Sequence, residues 1–298
     1  MSSFLGGLFM AAIAEPSVES FDNAPFDDRD TFDFAPHADG VAVMIGGVAN
    51  VIMQLSQAPI GYGVAESTVD SGKAMLHPLK RLRTTVSYLS VAHLGTPAER
   101  ASYRAAINSV HRQVRSGPDS PVRYNAFDPE LQRWVAACLY FGTVDLIERM
   151  HGPMDDELAD SMYRHSACLG ATLQMPPEMW PADRAAFAQY WREGLATARI
   201  DPTIRAYLMD LVRLRNLPKP LQWAFADIHQ FVVAGLLPRE LRRKMGLEWS
   251  AAHERRLSMM LLLAGVVCRR LPRRLRQFPL NYYLWDVKRR IRKRRPLV

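Results

Sequence analysis

The pattern of apolar and polar positions along the chain predicts an all-α protein. Residues 41–55 are apolar almost all round, which is typical of a buried helix, and Pro59, Gly61 and Gly63 predict its end. Alternating runs bounded by Asn-Gly or Asp-Gly turns, the mark of β-hairpins, are almost absent from the sequence. No repeat of about 20–50 residues is visible either, which argues against a solenoid. We therefore expect a single helical domain.

Capping residues locate the other helices. His77-Pro78 predicts a helix that reaches His93 and stops at Gly95. Thr96, Pro97 and Glu99 combine an N-cap, a proline at the first helical position and a capping-box glutamate. That helix is expected to run to about Arg115, with Gly117 past its end. Further helix starts are predicted at Asp128-Pro129, Asp155, Pro181, Asp201-Pro202 and Ser250, and a short basic helix at 284–291.

Charge divides the chain unevenly. Residues 269–298 hold twelve Lys or Arg and one acid, whereas residues 15–40 hold eight acids and one Arg. We predict an acidic N-terminal arm (1–36), extended over the body or partly disordered, a helical domain (37–268) and a basic C-terminal tail (269–298). A basic tail indicates an anionic partner, and prolines that break this one favour a membrane surface over nucleic acid.

Targeting signals and cysteine content restrict where in the cell the protein is expected. The apolar run 259–268 has about half of the ~20 residues that a membrane-spanning helix needs. Residues 4–14 are apolar, but no Lys or Arg precedes them as in a secretory signal. Three well-separated cysteines argue against a disulfide framework. We expect a cytoplasmic protein, peripheral at the inner membrane surface if the tail binds lipid.

His111 is the first residue with a candidate chemical role. Tyr103, Ile107, Val110, His111 and Val114 share one stripe at helical spacing, so a histidine stands where a core residue belongs. It is either a buried neutral imidazole bonded to a carbonyl or an iron or metal ligand. No HExxH, CxxC or paired Glu-x-x-His occurs, so a single axial histidine in an apolar pocket fits haem better than zinc or di-iron.

Two further segments place polar groups beside apolar helices. Arg81, Thr84 and Thr85 share one helical face, where an arginine beside a hydroxyl can bind a carboxylate such as a haem propionate. The alternative is a solvated basic helix start. Glu66 follows a glycine-containing turn, where it is either a general base whose pKa burial raises or a cap of the next turn.

Taken in order, several segments resemble one family, that of the bacterial latex clearing protein (rubber oxygenase) and the oxygenase of fungal mycophenolic acid synthesis. The resemblance covers roughly residues 37–215. The segments that carry it are His77-Pro78 to Thr85, Gly95-Thr96, Val110-His111 to Arg115, Tyr124, Asp128 to Leu131, Trp134-Val135 and Leu173 to Pro181.

The resemblance implies a mostly helical, distantly globin-like fold that holds one haem b. It implies that His111 is the proximal iron ligand, with Arg81, Thr85 and Arg115 beside the cofactor. Thr84 stands where the rubber oxygenase has a distal lysine, so a lysine sixth ligand is not expected. Glu66 resembles the distal acid that is proposed as the base.

Two departures from the family limit what the resemblance implies. Ala136 and Ala58 stand where the family often has histidines. The substrate side is therefore expected to differ, and rubber cleavage is not carried over.

Three functions stay open at this point. The first is a haem-dependent oxygenase (an oxidoreductase) that uses dioxygen and a hydrophobic, isoprenoid- or lipid-like substrate, with Glu66 taking a proton from an activated C–H. The second is a haem carrier or sensor without that chemistry. The third is a cofactor-free helical protein that docks by its basic tail. Soret absorbance distinguishes a haem protein from the cofactor-free helical protein. Oxygen consumption distinguishes the oxygenase from the haem carrier or sensor.

Overall fold

The computed structural model describes residues 32–67, 69 and 73–298, so the apolar stretch 4–14 and most of the predicted acidic arm lie outside the described residues. The all-α prediction is confirmed: these residues contain no β-strand and one isolated bridge, between Arg115 and Asn125. A 3₁₀ turn covers Pro177–Met179. The α-helices are α1 Gly40–Leu55, α2 Ala58–Ala65, α3 Pro78–Leu94, α4 Pro97–His111, α5 Pro129–His151, α6 Asp156–His165, α7 Ala167–Ala171, α8 Arg184–Thr197, α9 Pro202–Val212, α10 Lys219–Leu236, α11 Arg239–Lys244, α12 Ala251–Arg270, α13 Arg273–Arg276 and α14 Leu280–Arg292.

The first helix is present as predicted, but its surroundings differ in two ways. Met44 is 49% exposed, so α1 is not buried all round. The glycines after it do not end the helical region, because the chain bends by 111° and continues as α2. Gly61 lies inside α2, where an added Cβ would be 3.2 Å from the side chain of Ile204. A close helix contact explains this glycine better than chain termination does.

Caps predicted most helix starts correctly. Thr96 and Glu99 form the reciprocal capping box, and Asp128, Asp155, Asp201 and Ser250 each cap a helix. The start predicted at Pro181 is two residues early, since Asp183 caps α8. The predicted end near Arg115 is also wrong. The chain leaves α4 after His111 because Ala126 N donates to Val114 O (2.9 Å) and Ser116 N donates to Tyr124 O (2.9 Å).

The long helix α5 lies at the centre of the core. Helices α1 and α12 pack along it. The approach of α12 is so close that a Cβ on Gly265 would lie 1.7 Å from the carbonyl oxygen of Met150. Only glycine allows two backbones to come together in this way.

The basic C-terminal region is docked on the body. Helix α14 packs along α3, Arg276 donates to the carbonyl of Pro36 (2.9 Å), and Lys288 pairs with Glu99 (3.6 Å). Helix α12 also continues across residue 268, where the tail was expected to begin. The division into arm, domain and tail stays a prediction. By length and composition, no single described helix could cross a membrane; α1 and α2 pass that test only as a sharply bent pair.

Candidate functional site

Helices α3 and α4 form an antiparallel pair that brings the predicted site residues to one end. The turn between them is Gly95-Thr96, and the Tyr103 hydroxyl donates to the carbonyl of Thr84 (2.9 Å). Arg81 near the start of α3 and His111 at the end of α4 are almost equally far from that turn. The sequence stripe on α4 and the polar face of α3 therefore meet.

The His111 imidazole lies in a poorly solvated environment. The residue is partly exposed, but its Nδ1 atom is buried and has no hydrogen-bond partner among the described residues. Burial lowers the pKa of His111 to about 4, a hydrogen bond with the Gln174 side chain opposes this shift, and the positive charge of Arg81 adds to it. The ring is therefore neutral near pH 7, and it interacts with Arg81.

A buried amide network lies beside this imidazole. The backbone N–H of Gln174 donates to Oε1 of Gln132 (2.8 Å), and Nε2 of Gln132 donates to the carbonyl of Ala126 (2.8 Å). The Gln174 side chain in turn donates to Asn108, three residues before His111. Sequence reasoning missed these three polar residues, although Gln132 and Gln174 lie close to or within the resembling segments. The side chains of Gln132 and Asn108 hold the Gln174 amide beside the imidazole.

Arg81 has an unusual environment for an arginine near a helix start. Its side chain is accessible to water, yet desolvation by the surrounding protein lowers the pKa of its guanidinium group. The nearby phenols of Tyr207 and Tyr103 oppose that shift. Thr85 is partly buried on the same helical face.

The remaining predicted site residues are more loosely placed. Thr84 donates its hydroxyl to the carbonyl of Arg81 (3.0 Å), and Arg115 is exposed beyond the end of α4. Glu66 is the C-cap residue of α2, and it is exposed. The predicted burial of Glu66 is therefore wrong. Its carboxylate accepts a hydrogen bond from the Tyr124 hydroxyl (2.9 Å), and burial and Glu66 together raise the pKa of Tyr124 to about 12.

Two cavities are lined by other residues. One, of about 470 Å³, is lined by residues that include Phe34, His93, Arg100 and His165. The other, of about 510 Å³, is lined mainly by apolar residues: Gly40, Val41, Met44, Ile45, Leu82, Phe278, Pro279 and Tyr283. Neither is lined by His111 or Arg81.

Comparison with known proteins identifies the family of the chain. The model of the ER-bound oxygenase mpaB/B'/rubber oxygenase catalytic domain matches residues 35–269. An uncharacterized protein of Mycobacterium bovis is 46% identical over 255 residues, which cover 86% of this chain and 100% of the relative, and an uncharacterized protein of Mycobacterium tuberculosis matches with the same figures. No solved structure matches the chain. Because the match spans well over half of the chain, this protein belongs to the mpaB/B' and rubber oxygenase catalytic-domain family.

Proposed function

We propose that this member of an oxygenase family uses haem b, with His111 as the axial ligand, to oxidise a hydrophobic substrate with dioxygen. One observation carries the proposal: a neutral imidazole with a buried, unpartnered Nδ1 at the end of α4. A buried polar atom without a partner costs free energy. A ligand absent from the structure accounts for it, since neutral imidazole is the form that binds iron.

The residues around His111 fit a porphyrin better than a bare ion. A metal-bound histidine usually has its other ring nitrogen held by a neighbouring polar group, and the Gln174 side chain, which interacts with the His111 ring, would supply that group. Arg81 and Thr85 on the facing helix would bind a propionate, which matches the guanidinium fork. When bound, haem supplies the activation of dioxygen.

The protein's own part of the reaction is to hold the substrate and to move a proton. Glu66 would take the proton from an allylic or otherwise activated C–H of the substrate. The Tyr124 hydroxyl, which donates to Glu66, would hold the carboxylate in place. The hydrophobic, isoprenoid- or lipid-like substrate class comes from the family resemblance, because the apolar cavity of about 510 Å³ is not lined by His111 or Arg81.

Absorbance in the Soret region of the purified chain tests the cofactor. We expect a haem spectrum for the wild type and its loss in His111→Ala. The matched control is His253→Ala, since His253 is exposed on α12 and its loss should leave the spectrum unchanged. The assignment would be refuted if the wild type showed no haem spectrum even after reconstitution with hemin, or if His111→Ala kept the wild-type spectrum.

Oxygen consumption with a polyunsaturated isoprenoid tests the chemistry. Glu66→Gln should retain haem and lose turnover if Glu66 is the base. The exposure of Glu66 favours a second candidate, a haem carrier or sensor. That alternative gains support if the wild type binds haem and consumes no oxygen with any hydrophobic substrate tried.

We also propose that the basic C-terminal region binds an anionic membrane surface where such substrates dissolve. Phe278, Tyr282 and Trp285 form an exposed aromatic row, with ring centroids 6.3 Å and 5.9 Å apart. Exposed Arg273 and Arg274 lie just before this row. Aromatic rings at the headgroup level and cations worth about 1 kcal/mol each are the usual means of peripheral binding.

Co-sedimentation with vesicles tests this surface. The chain should bind phosphatidylserine vesicles and not phosphatidylcholine vesicles, and Arg273→Glu with Arg274→Glu should weaken the binding. Exposed Arg255→Glu with Arg256→Glu on α12 is the charge-matched control. Equal binding to both vesicles, or binding to duplex DNA alone, would contradict the proposal.

A further inference from the structure

A second cluster of metal-binding side chains lies near the opposite end of α3. His93 in the last turn of α3, His165 at the end of α6 and Cys168 in α7 are all at most 8% exposed. Their ligand atoms lie within 4.8 Å of one another. Cys168 Sγ is 3.9 Å from His93 Nδ1 and 3.9 Å from His165 Nε2.

These distances are close to those that zinc requires. With Zn–S near 2.3 Å and Zn–N near 2.0–2.1 Å, tetrahedral geometry puts sulfur and nitrogen ligands roughly 3.5 Å apart. The sulfur–nitrogen pairs in the cluster are therefore only a few tenths of an ångström too far apart. The two imidazole nitrogens lie within 4.8 Å of each other and would have to approach to about 3.3 Å, so side-chain rotation must bring the two rings together around the ion.

The chemistry of the three side chains also suits zinc. Two imidazoles and a thiolate select a borderline metal such as Zn²⁺ over the hard ions Mg²⁺ and Ca²⁺. Binding would release the Cys168 thiol proton to solvent.

The two imidazole rings are held in position by an aromatic neighbour. Phe34 stacks on His93 with centroids 4.1 Å apart and on His165 with centroids 5.5 Å apart. The planes of the Phe34, His93 and His165 rings are inclined to one another by less than 30°. Preorganised ligands lose less entropy when an ion binds.

The cluster has access to solvent on one side. His93 and His165 both line the cavity of about 470 Å³, together with Arg100 and Lys288. We propose that His93, His165 and Cys168 bind one Zn²⁺, whose fourth coordination position faces this cavity and takes water or a small carboxylate. Three protein ligands with one open position are the arrangement of catalytic zinc sites. Asp33 also lines the cavity and Lys288 pairs with Glu99, so Arg100 is the cation that would favour an anionic fourth ligand.

This site is separate from the haem site proposed above. His93 lies eight residues after Thr85 on α3, about 12 Å along the helix axis. The zinc proposal therefore does not depend on the haem proposal, and each can fail alone.

The first test is the zinc content of the full-length chain after it is loaded with zinc and desalted, measured by inductively coupled plasma mass spectrometry. We expect one zinc per wild-type chain and at least about tenfold weaker binding for Cys168→Ser, since even outer-shell changes reach that size. Cys268→Ser is the matched control, as Cys268 is equally buried and lies outside the cluster. His111→Ala should keep its zinc.

X-ray absorption at the zinc edge of the wild type provides a second measurement that needs no variant. We expect one sulfur ligand near 2.3 Å and two nitrogens of histidine type. A zinc shell without sulfur, no retained zinc in the folded wild type, or equal zinc content in wild type and folded Cys168→Ser would overturn the proposal. If Cys168→Ser fails to fold, the absorption spectrum decides.

Discussion

Neutral His111 should make folding stability depend on pH. Its pKa is about 4 in the folded chain and near 6.5 in an unfolded chain. As the pH falls through this window, the unfolded state takes up a proton that the native state does not bind. The contribution of His111 to stability is therefore present in full above pH 6.5 and is lost as the pH falls towards 4.

The shift sets the size of the effect. Each pKa unit corresponds to about 1.4 kcal/mol, so lowering the pH from 7 to about 4.5 should remove roughly 2–3 kcal/mol of stability through this one group. His111→Gln cannot titrate and keeps an amide partner for Gln174. Its stability should therefore fall by roughly 2–3 kcal/mol less than that of the wild type over the same range.

Urea unfolding of the haem-free chain at a series of pH values measures this difference. Other titrating groups, His93 among them, contribute equally to both proteins and cancel. His253→Gln is the control, because that ring is exposed and should give the wild-type pH dependence. If His111→Gln and wild type lose the same free energy within about 0.5 kcal/mol, the imidazole is not held neutral by burial.

Two further variants test the packing and capping of the helices. Gly265→Ala places a Cβ 1.7 Å from the Met150 carbonyl oxygen, so it should destabilise the chain by about 1–3 kcal/mol or more in thermal unfolding. The control is Gly47→Ala on α1, whose added Cβ meets nothing within 4 Å and should leave stability unchanged or raise it. A lower melting temperature for Gly47→Ala than for Gly265→Ala would refute the close approach of α12 and α5. Thr96→Ala removes a capping box and should cost about 1 kcal/mol in urea unfolding; no loss would mean that the α4 cap is dispensable.

Much of the helical layout was predictable from the chain alone, because capping is a local property. Asp128, Asp155 and Ser250 each accept backbone N–H bonds from residues two or three positions away, so a short stretch of sequence specifies each helix start. The end of α4 was not predictable in this way. It depends on hydrogen bonds between Val114 or Ser116 and residues ten or so positions later.

Some features of the candidate site were also predictable from the sequence, and others were not. The helical stripe that contains His111 and the face shared by Arg81 and Thr85 follow from the 3.6-residue period of a helix. Sequence alone also predicted the family. The exposure of Glu66 and the amide network of Gln132 and Gln174 depend on which segments pack together.

Only the tertiary structure brings His93 within reach of His165 and Cys168, more than 70 residues later in the chain. Nothing in their spacing marks them as a set, because their contact arises where α3, α6 and α7 meet. Periodicity and caps act over one or two helical turns, whereas burial, pKa shifts and ligand geometry depend on neighbours that only the folded core supplies.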